Sequence, residues 1–329
     1  MQNQATASYV KVFITGASGF IGRALATRYR EEGAEVCGID FQADSEGGVV
    51  AGDLTRPEDW LHALAGVDLV IHTAALVSNT ASMDDAWRVN VKGTADILQA
   101  SVEAGVKRFV QLSSIAALGF DYPDGVSEDY PLRPMGNTYV DTKIASEHAV
   151  LACHASGRMD CTIIRPGDVY GPGSRPWVVL PLKMIAAGKF LLPAHGQGVF
   201  TPVYIDDLID GLVAAAESAV GAGQIYHIIG DQDVSCEEFF GYHVRMLGSD
   251  KPPRMIATGT AILVAETARV MVGLFGGKTE LGRGTIDMLS RKGGYSIAKA
   301  RDQLAFEPKV DLKKGMQLTE EWASMTGYL

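Results

Sequence analysis

The stretch VKVFITGASGFIG, Val10 to Gly22, decides the fold class. Its first half, Val10 to Thr15, is a short β-branched run of the kind that forms a buried strand. Its second half, from Thr15 through Gly16, Ala17, Ser18, Gly19, Phe20 and Ile21 to Gly22, leads into a helical pattern that runs from Ile21 to Glu31. Glycines at this spacing allow a tight strand-to-helix turn and let the backbone approach a pyrophosphate at the helix N-terminus. Three glycines alone are a weak signal, because such turns use glycine for steric reasons. Asp40 strengthens it: the residue closes a second apolar run, Glu35 to Asp40, eighteen positions beyond Gly22. A carboxylate there accepts hydrogen bonds from adenosine ribose hydroxyls and repels a 2′-phosphate, and the next residues, Phe41 and Gln42, offer no arginine to hold one. The expected cofactor is NAD and not NADP.

Outward from this unit the same alternation continues. Candidate strands are Val49 to Ala51, Leu69 to His72, Arg108 to Ser113, Cys161 to Arg165 and Gln224 to Ile229. Helical patterns fall at Pro57 to Leu64, Asp84 to Ala104 and Thr138 to Ala155, with Gly33 and Gly105 placed as left-handed caps after the first and third helical patterns. Strands alternating with helices predict an α/β fold, a Rossmann-type doubly wound parallel sheet with right-handed crossovers. After Arg165 the prolines and glycines multiply, from Pro166 and Gly167 to Pro181, and a second region is expected to begin there. The predicted division is a dinucleotide-binding domain over 9–170, completed by about 201–230, in which Val203 to Glu217 reads as helix. The smaller substrate-binding domain takes 171–200 and 231–329.

Composition narrows the function classes. The 329 residues are 47% hydrophobic and 21% charged, enough apolar content for a large core and unlike a disordered chain. Acidic residues outnumber basic ones, 39 to 29, and no Lys/Arg run forms a patch for a phosphate backbone, so nucleic acid is not an expected partner. Cys37, Cys153, Cys161 and Cys236 are scattered, with neither metal-ligand spacing nor a disulfide framework, which predicts no metal site and a reducing cytoplasm. Met1 to Ser8 is polar and reads as a frayed leader, not a signal peptide. The most apolar stretch, Ile256 to Phe275, is interrupted by Glu266 and Arg269. A spanning helix needs about 20 nearly uncharged residues. The stretch therefore predicts a packed or pocket-lining helix, with a membrane-surface contact as the alternative. None of the seven histidines sits at a spacing that ties it to a nucleophile or carboxylate, and they are expected to be ordinary surface or strand residues.

The candidate chemistry lies on three elements. Tyr139 and Lys143, four apart in a helical pattern, emerge on one face about one turn apart. A phenol has a reference pKa near 10, so proton exchange near neutrality needs nearby positive charge, which Lys143 and an oxidised nicotinamide supply. Such a pair arises often by chance. Ser113-Ser114, closing the fifth strand at the carboxyl edge where ligands of open α/β sheets gather, adds a hydroxyl for a substrate oxygen. Asp53-Leu54, after the third strand, places Asp53 either near the adenine amino group or in an Asx turn.

Taken with TGASGFIG at 15–22, the segments GDL at 52–54, HTAA at 72–75, NVKGT at 90–94, LSSIAALG at 112–119, YVDTK at 139–143, RPGDVYGPG at 165–173 and VYIDDL at 203–208 give the chain a family likeness. It resembles an extended short-chain dehydrogenase/reductase of the NAD-dependent epimerase/dehydratase superfamily. The resemblance runs nearly end to end and implies a Ser-Tyr-Lys mechanism. Tyr139 would exchange the hydroxyl proton, Lys143 would hold the nicotinamide ribose and lower the tyrosine pKa, and Ser114, chosen over Ser113 by its distance from Gly119, would orient the substrate oxygen. It also implies that Thr73, Ala74 and Ala75 line the cofactor groove, that Asn90 supports the active-site helix, and that Pro166 and Gly167 lie near the nicotinamide. A homodimer through the helices at 84–104 and 138–155 is the implied assembly.

The family's nucleotide-sugar epimerases carry an Arg-Asp pair where this chain has Phe200 and Thr201, and a second family arginine could correspond to Arg291. The C-terminal run GTIDMLSRKGGYSIAKARDQLAFEP, at 284–308, is similar to the 3β-hydroxysteroid dehydrogenase and dihydroflavonol reductase branch. The expected activity is NAD-linked interconversion of a secondary alcohol and a ketone on a small apolar substrate. The alternatives are a nucleotide-sugar epimerase or dehydratase and, from another class, a non-catalytic NAD-binding sensor or scaffold.

Overall fold

The computed structural model describes residues 9–78, 80–274 and 282–329. Seven parallel strands form one sheet: β1 (Lys11–Thr15), β2 (Glu35–Asp40), β3 (Val49–Ala51), β4 (Leu69–His72), β5 (Arg108–Leu112), β6 (Asp160–Pro166) and β7 (Ile225–Ile228). Their spatial order is β7-β6-β5-β4-β1-β2-β3, so the direction of winding reverses between β1 and β4. That switch point is where open sheets of this kind take their ligands. The observed strands agree with the expected ones to within a residue at each end, the ordinary scatter of strand boundaries.

The strand sequences are apolar throughout, yet their side chains still alternate. Val12, Ile14, Leu69, Ile71, Val110, Leu112 and Ile164 join one buried cluster, while Phe13, Val70, Phe109 and Ile163 join another on the opposite face. Helices cover both. On the first face lie α1 (Phe20–Glu31) and, far along the chain, the helix Ile205–Glu217, which pack against each other. On the second lie α2 (Gly93–Glu103) and α3 (Thr138–Ala155), also in contact. Beyond β6 the chain adds short two-stranded pieces. Asp168–Tyr170 pairs in parallel with Pro202–Tyr204, Val199–Phe200 pairs antiparallel with Val234–Ser235, and Leu191–Leu192 pairs in parallel with Arg254–Met255.

Several expectations need correction. The helix expected over Pro57 to Leu64 is two 3-10 turns, Pro57–Asp59 and Leu61–Leu64. Trp60 breaks it: φ is −133° there, and the indole is buried with its N–H donating to the Asp53 carbonyl. Val203, expected in a helix, belongs to the strand Pro202–Tyr204, and the helix starts at Ile205. The long helix expected over Asp84 to Ala104 is divided into Met83–Ala86, a π-helical stretch Trp87–Lys92, and α2. Of the histidines expected at the surface or in strands, His72 and His227 are strand residues, whereas His243 is buried in the helix Cys236–Met246. Burial, with the Lys143 charge pushing the same way, holds the His72 ring neutral, at a pKa of about 3.

The apolar segment forms a helix over Thr258–Leu274, and Phe275 lies outside the described residues, as does the leader Met1 to Ser8. It packs through a narrow face, where Ala261 and Ala265 are buried with Ile286, while Leu263, Val264, Val270, Met271 and Leu274 are exposed. The expected packed helix is thus packed on one side only. Among the described residues no helix is long and apolar enough to cross a membrane.

Candidate active site

The glycine loop is a cradle that side chains would fill. Gly16 has φ +70°, a left-handed conformation that a Cβ would strain. A Cβ on Gly22 would lie 2.1 Å from the Gly16 carbonyl oxygen, so glycine is what lets α1 start against the strand exit. Gly19 caps α1 without a side-chain hydrogen bond, and the first turn carries no acidic residue, which leaves the helix N-terminus to an anion. Asp40, at the end of β2, accepts from Ser18 N at 3.0 Å and from Phe41 N at 2.7 Å, so its carboxylate is fixed beside the loop. Phe20 and Ile21 form the first turn of α1. These features fit a dinucleotide with its pyrophosphate on the helix N-terminus.

The adjoining strand exits are tied to this loop. Thr15 Oγ1 accepts from Ala74 N at 3.1 Å and shares a proton with His72 Nδ1 at 2.7 Å; Thr73 Oγ1 donates to the Thr15 carbonyl at 2.7 Å. Ala75 follows in the same partly buried segment. Asp53 takes the Asx-turn alternative, accepting from Thr55 N at 2.9 Å and from its hydroxyl at 2.8 Å, which helps hold its carboxyl below the usual range despite burial. Leu54 is buried in the core cluster with Phe13, Ile39 and Trp60.

Asn90, implied to support the active-site helix, has its amide spent within the protein. It accepts from Leu76 N at 2.7 Å and donates to Leu76 O at 3.1 Å and to Thr142 Oγ1 at 3.0 Å. Its observed work is to bridge the β4 exit to α3, next to Lys143. The wider π-helical turn is where this buried side chain leaves its backbone.

At α3, Asn137 caps the helix by accepting from Tyr139 N and Val140 N. The Tyr139 phenol lies beside the Ser114 side chain, and the Lys143 ammonium lies 5.8 Å from the centre of the tyrosine ring. Burial raises the Tyr139 pKa, and the nearby Ser114 hydroxyl opposes it. Burial likewise lowers Lys143 to about 8, with Glu147 pulling the other way. The ammonium donates to the Leu112 carbonyl at 2.8 Å. Lys143 therefore stands beside the phenol, but in this state its charge does not offset the effect of burial.

The two serines separate cleanly. Ser113 is buried and its hydroxyl donates to Glu147 at 2.5 Å; Ser114 is partly buried and faces Tyr139, its Oγ accepting from Ala116 N at 3.1 Å. Pro166 ends β6, and Gly167 sits where a Cβ would be 2.6 Å from the Thr201 carbonyl. The glycine loop, Ser114, Tyr139, Lys143 and Gly167 all follow or face carboxyl ends of β1, β5 and β6.

Sequence reasoning passed over three buried groups: Glu147, its partner Arg165, and the His72–Thr94 contact at 2.9 Å. The signal for Glu147 was present, since it continues the four-residue spacing of Tyr139 and Lys143. Arg291, the residue that could correspond to the second family arginine, is held inside the protein. It is 1% exposed, its guanidinium is paired with Asp168, and the Tyr122–Tyr295 hydroxyl pair contributes to its electrostatic surroundings. Phe200 is stacked on Phe239 with ring centres 3.9 Å apart and meets Trp177 edge-on.

Comparison with known proteins places this geometry. The NAD dependent epimerase/dehydratase family matches residues 12–228. The chain is 30% identical over 328 residues to a 3-beta-hydroxysteroid dehydrogenase of Mycolicibacterium neoaurum, covering 93% of this chain and 89% of that one. It is 27% identical over 330 residues to a 2-alkyl-3-oxoalkanoate reductase of Stenotrophomonas maltophilia, covering 94% and 98%. Among solved structures it is similar to MoeE5 in complex with UDP-glucose and NAD, with a TM-score of 0.77 and 26% identity over 96% of this chain and 99% of that chain.

Proposed function

We propose that this chain, which belongs to the NAD dependent epimerase/dehydratase family, interconverts a secondary alcohol and a ketone on a small, apolar, hydroxysteroid-like substrate. It is an NAD-dependent enzyme of the extended short-chain dehydrogenase/reductase type. The observation that carries the reading is the placing of Ser114 beside the Tyr139 phenol, near enough to oppose the rise in its pKa, with the Lys143 ammonium 5.8 Å from the tyrosine ring, at the sheet edge that also holds the glycine cradle.

Bound NAD supplies the hydride acceptor and, when oxidised, a positive ring. The residues proposed to hold it are Gly16, Ser18, Gly19, Phe20, Ile21 and Gly22 around the phosphates and Asp40 at the adenosine ribose. Asp53 and Leu54, with Thr73, Ala74 and Ala75, flank the groove, and Pro166 and Gly167 are nearest the nicotinamide. Ser114 orients the substrate oxygen. Tyr139, as phenolate, takes the hydroxyl proton while the carbon-bound hydrogen leaves with both electrons, so the alcohol is oxidised by two electrons and the cofactor reduced by two. Because burial raises the tyrosine pKa, the phenolate depends on positive charge brought close, and Lys143 is the residue that provides it.

Two features support an apolar substrate over a nucleotide sugar. Arg291 is buried against Asp168, and Phe200 lies in an aromatic cluster with no cation at that position. A dianionic diphosphate needs paired cations when it leaves water. The relatives named for hydroxysteroids agree with this. The second reading, sugar interconversion with hydride returned to the same substrate, is favoured by MoeE5 with its UDP-glucose.

The test is incubation with excess NAD and a panel of apolar secondary alcohols, hydroxysteroids among them, beside nucleotide sugars. NADH absorbance and sugar isomer composition are followed together. Net NADH from an apolar alcohol, lost in Tyr139→Phe, is the expected result; sugar interconversion without NADH accumulation would overturn it. Assembly as a homodimer through α2 and α3 belongs to the same proposal and is checked by light scattering.

A further inference from the structure

Tyr139 and Lys143 are the first members of a series that continues for one more turn. Glu147 follows at the same spacing, on the same stripe of α3, and is fully buried. A buried carboxylate is costly unless its oxygens are bonded and its charge matched. Here both conditions are met. Arg165, near the end of β6 and 1% exposed, meets it through two parallel bonds, Nε to Oε1 at 2.9 Å and Nη2 to Oε2 at 2.7 Å. Ser113 Oγ adds a third at 2.5 Å, and Arg165 Nη1 donates onward to the Glu128 carbonyl at 3.2 Å.

We propose that Glu147 and Arg165 are positioning residues for the hydride-transfer centre: their ion pair sets the register of Ser114 against α3 and keeps Lys143 charged. The proposal rests on the Ser114–Tyr139–Lys143 reading above.

Register comes from three consecutive residues at the end of β5, each bonded to α3. Gln111 Nε2 donates to Ser146 Oγ at 2.7 Å, the Leu112 carbonyl accepts from Lys143 Nζ at 2.8 Å, and Ser113 donates to Glu147. Ser114 is the next residue and has no such bond to α3's second half, so its place follows from Ser113. On the far side, Arg165 stands one residue before Pro166, and the same carboxylate therefore also aligns the β6 exit.

Charge follows from what faces Lys143. On its own helix these are Tyr139 and Glu147, and from β4 comes neutral His72; Arg165 of β6 stands behind Glu147, followed by Glu128 and by His227 of β7. Arg88 and Lys92 of the π-helical turn are exposed. The hydrogen bond Lys143 makes is to a neutral carbonyl, so Glu147 is the anion that holds its proton against burial.

Two variants and two readouts test this. Glu147→Gln combined with Arg165→Met removes both charges and leaves no buried ion unpaired, an exchange that buried pairs tolerate. It is expected to retain NADH binding while the alkaline limb of the alcohol-oxidation profile moves about one pH unit toward acid and kcat falls about tenfold. Glu147→Asp keeps the charge and is expected to keep the limb. The second readout needs no turnover: the 13Cε resonance of Lys143 should titrate near 8 in the wild type and about one unit lower in the double variant. An unmoved resonance and limb, or a loss equal at every pH, would overturn the proposal and leave the pair purely structural. Absence of NAD-dependent turnover in the wild type would instead defeat the activity reading, and the resonance would still decide the positioning.

Discussion

The glycine cradle and the Asp168–Arg291 tie handle polar groups in opposite ways. At the cradle, α1 begins with no side-chain cap and no acidic first turn, and Asp40 remains partly accessible beside it. At the tie, a guanidinium and a carboxylate are buried against each other, with the Tyr122–Tyr295 hydroxyl pair in the same interior region. The first region leaves its helix N-terminus without a side-chain cap; the second pairs its charges within the protein. Charge alone does not mark a binding site, and what separates the two is whether the protein has already satisfied its own groups.

The strongest way to break that contrast is at the chemistry itself. Tyr139→Phe should lower kcat by about 10³-fold or more while NADH binding stays near the wild-type value, as a fluorescence titration would report. Next is the tie. Arg291→Met leaves Asp168 buried without its cation and should cost about 3–5 kcal/mol in urea unfolding, with much of the loss recovered on adding Asp168→Asn. Stability unchanged but KM raised would mean that Arg291 serves a ligand, and the contrast would collapse. Gly22→Ala, which drives a methyl into the Gly16 carbonyl, should weaken NADH binding about tenfold or more, read by the same titration.

A smaller effect concerns Lys143. Its folded-state pKa, about 8, lies below the ordinary lysine value of 10.5, so between those values the unfolded chain binds more protons and stability rises with pH. Wild type should therefore gain stability relative to Lys143→Met as pH rises from about 8 to 10.5, measured by urea titrations across that window. Smallest of all, Leu263→Ser on the open face of the helix Thr258–Leu274 should shift stability by no more than about 0.5 kcal/mol in a thermal melt. A larger loss would mean that this face is covered in solution.

Much of the first region was legible because its requirements are local. A strand, a glycine turn and a helix start are neighbours in sequence, and Tyr139 and Lys143 are one turn apart on a single helix. The second region pairs residues 123 positions apart, Asp168 with Arg291, and no periodicity in the chain announces such a meeting. Trp60 illustrates the middle case: the pattern around it is helical, but burying the indole takes precedence over propensity and splits the turn. The helix-supporting role of Asn90 came from the family likeness, while the loop it holds through Leu76 was not legible in the sequence. Glu147 was within reach, since its spacing repeats that of the two residues before it.

The distance between the partners of the tie also gives the fold an order in time. A chain emerging from its N-terminus has the glycine cradle, Ser114, Tyr139 and Lys143 in hand long before Arg291 exists. Until then the Asp168 carboxylate has no counterion and cannot be sealed in the interior at low cost. Burying that pair therefore requires a long loop closure that waits for the distal segment. Synthesis of the distal segment acts as the latch.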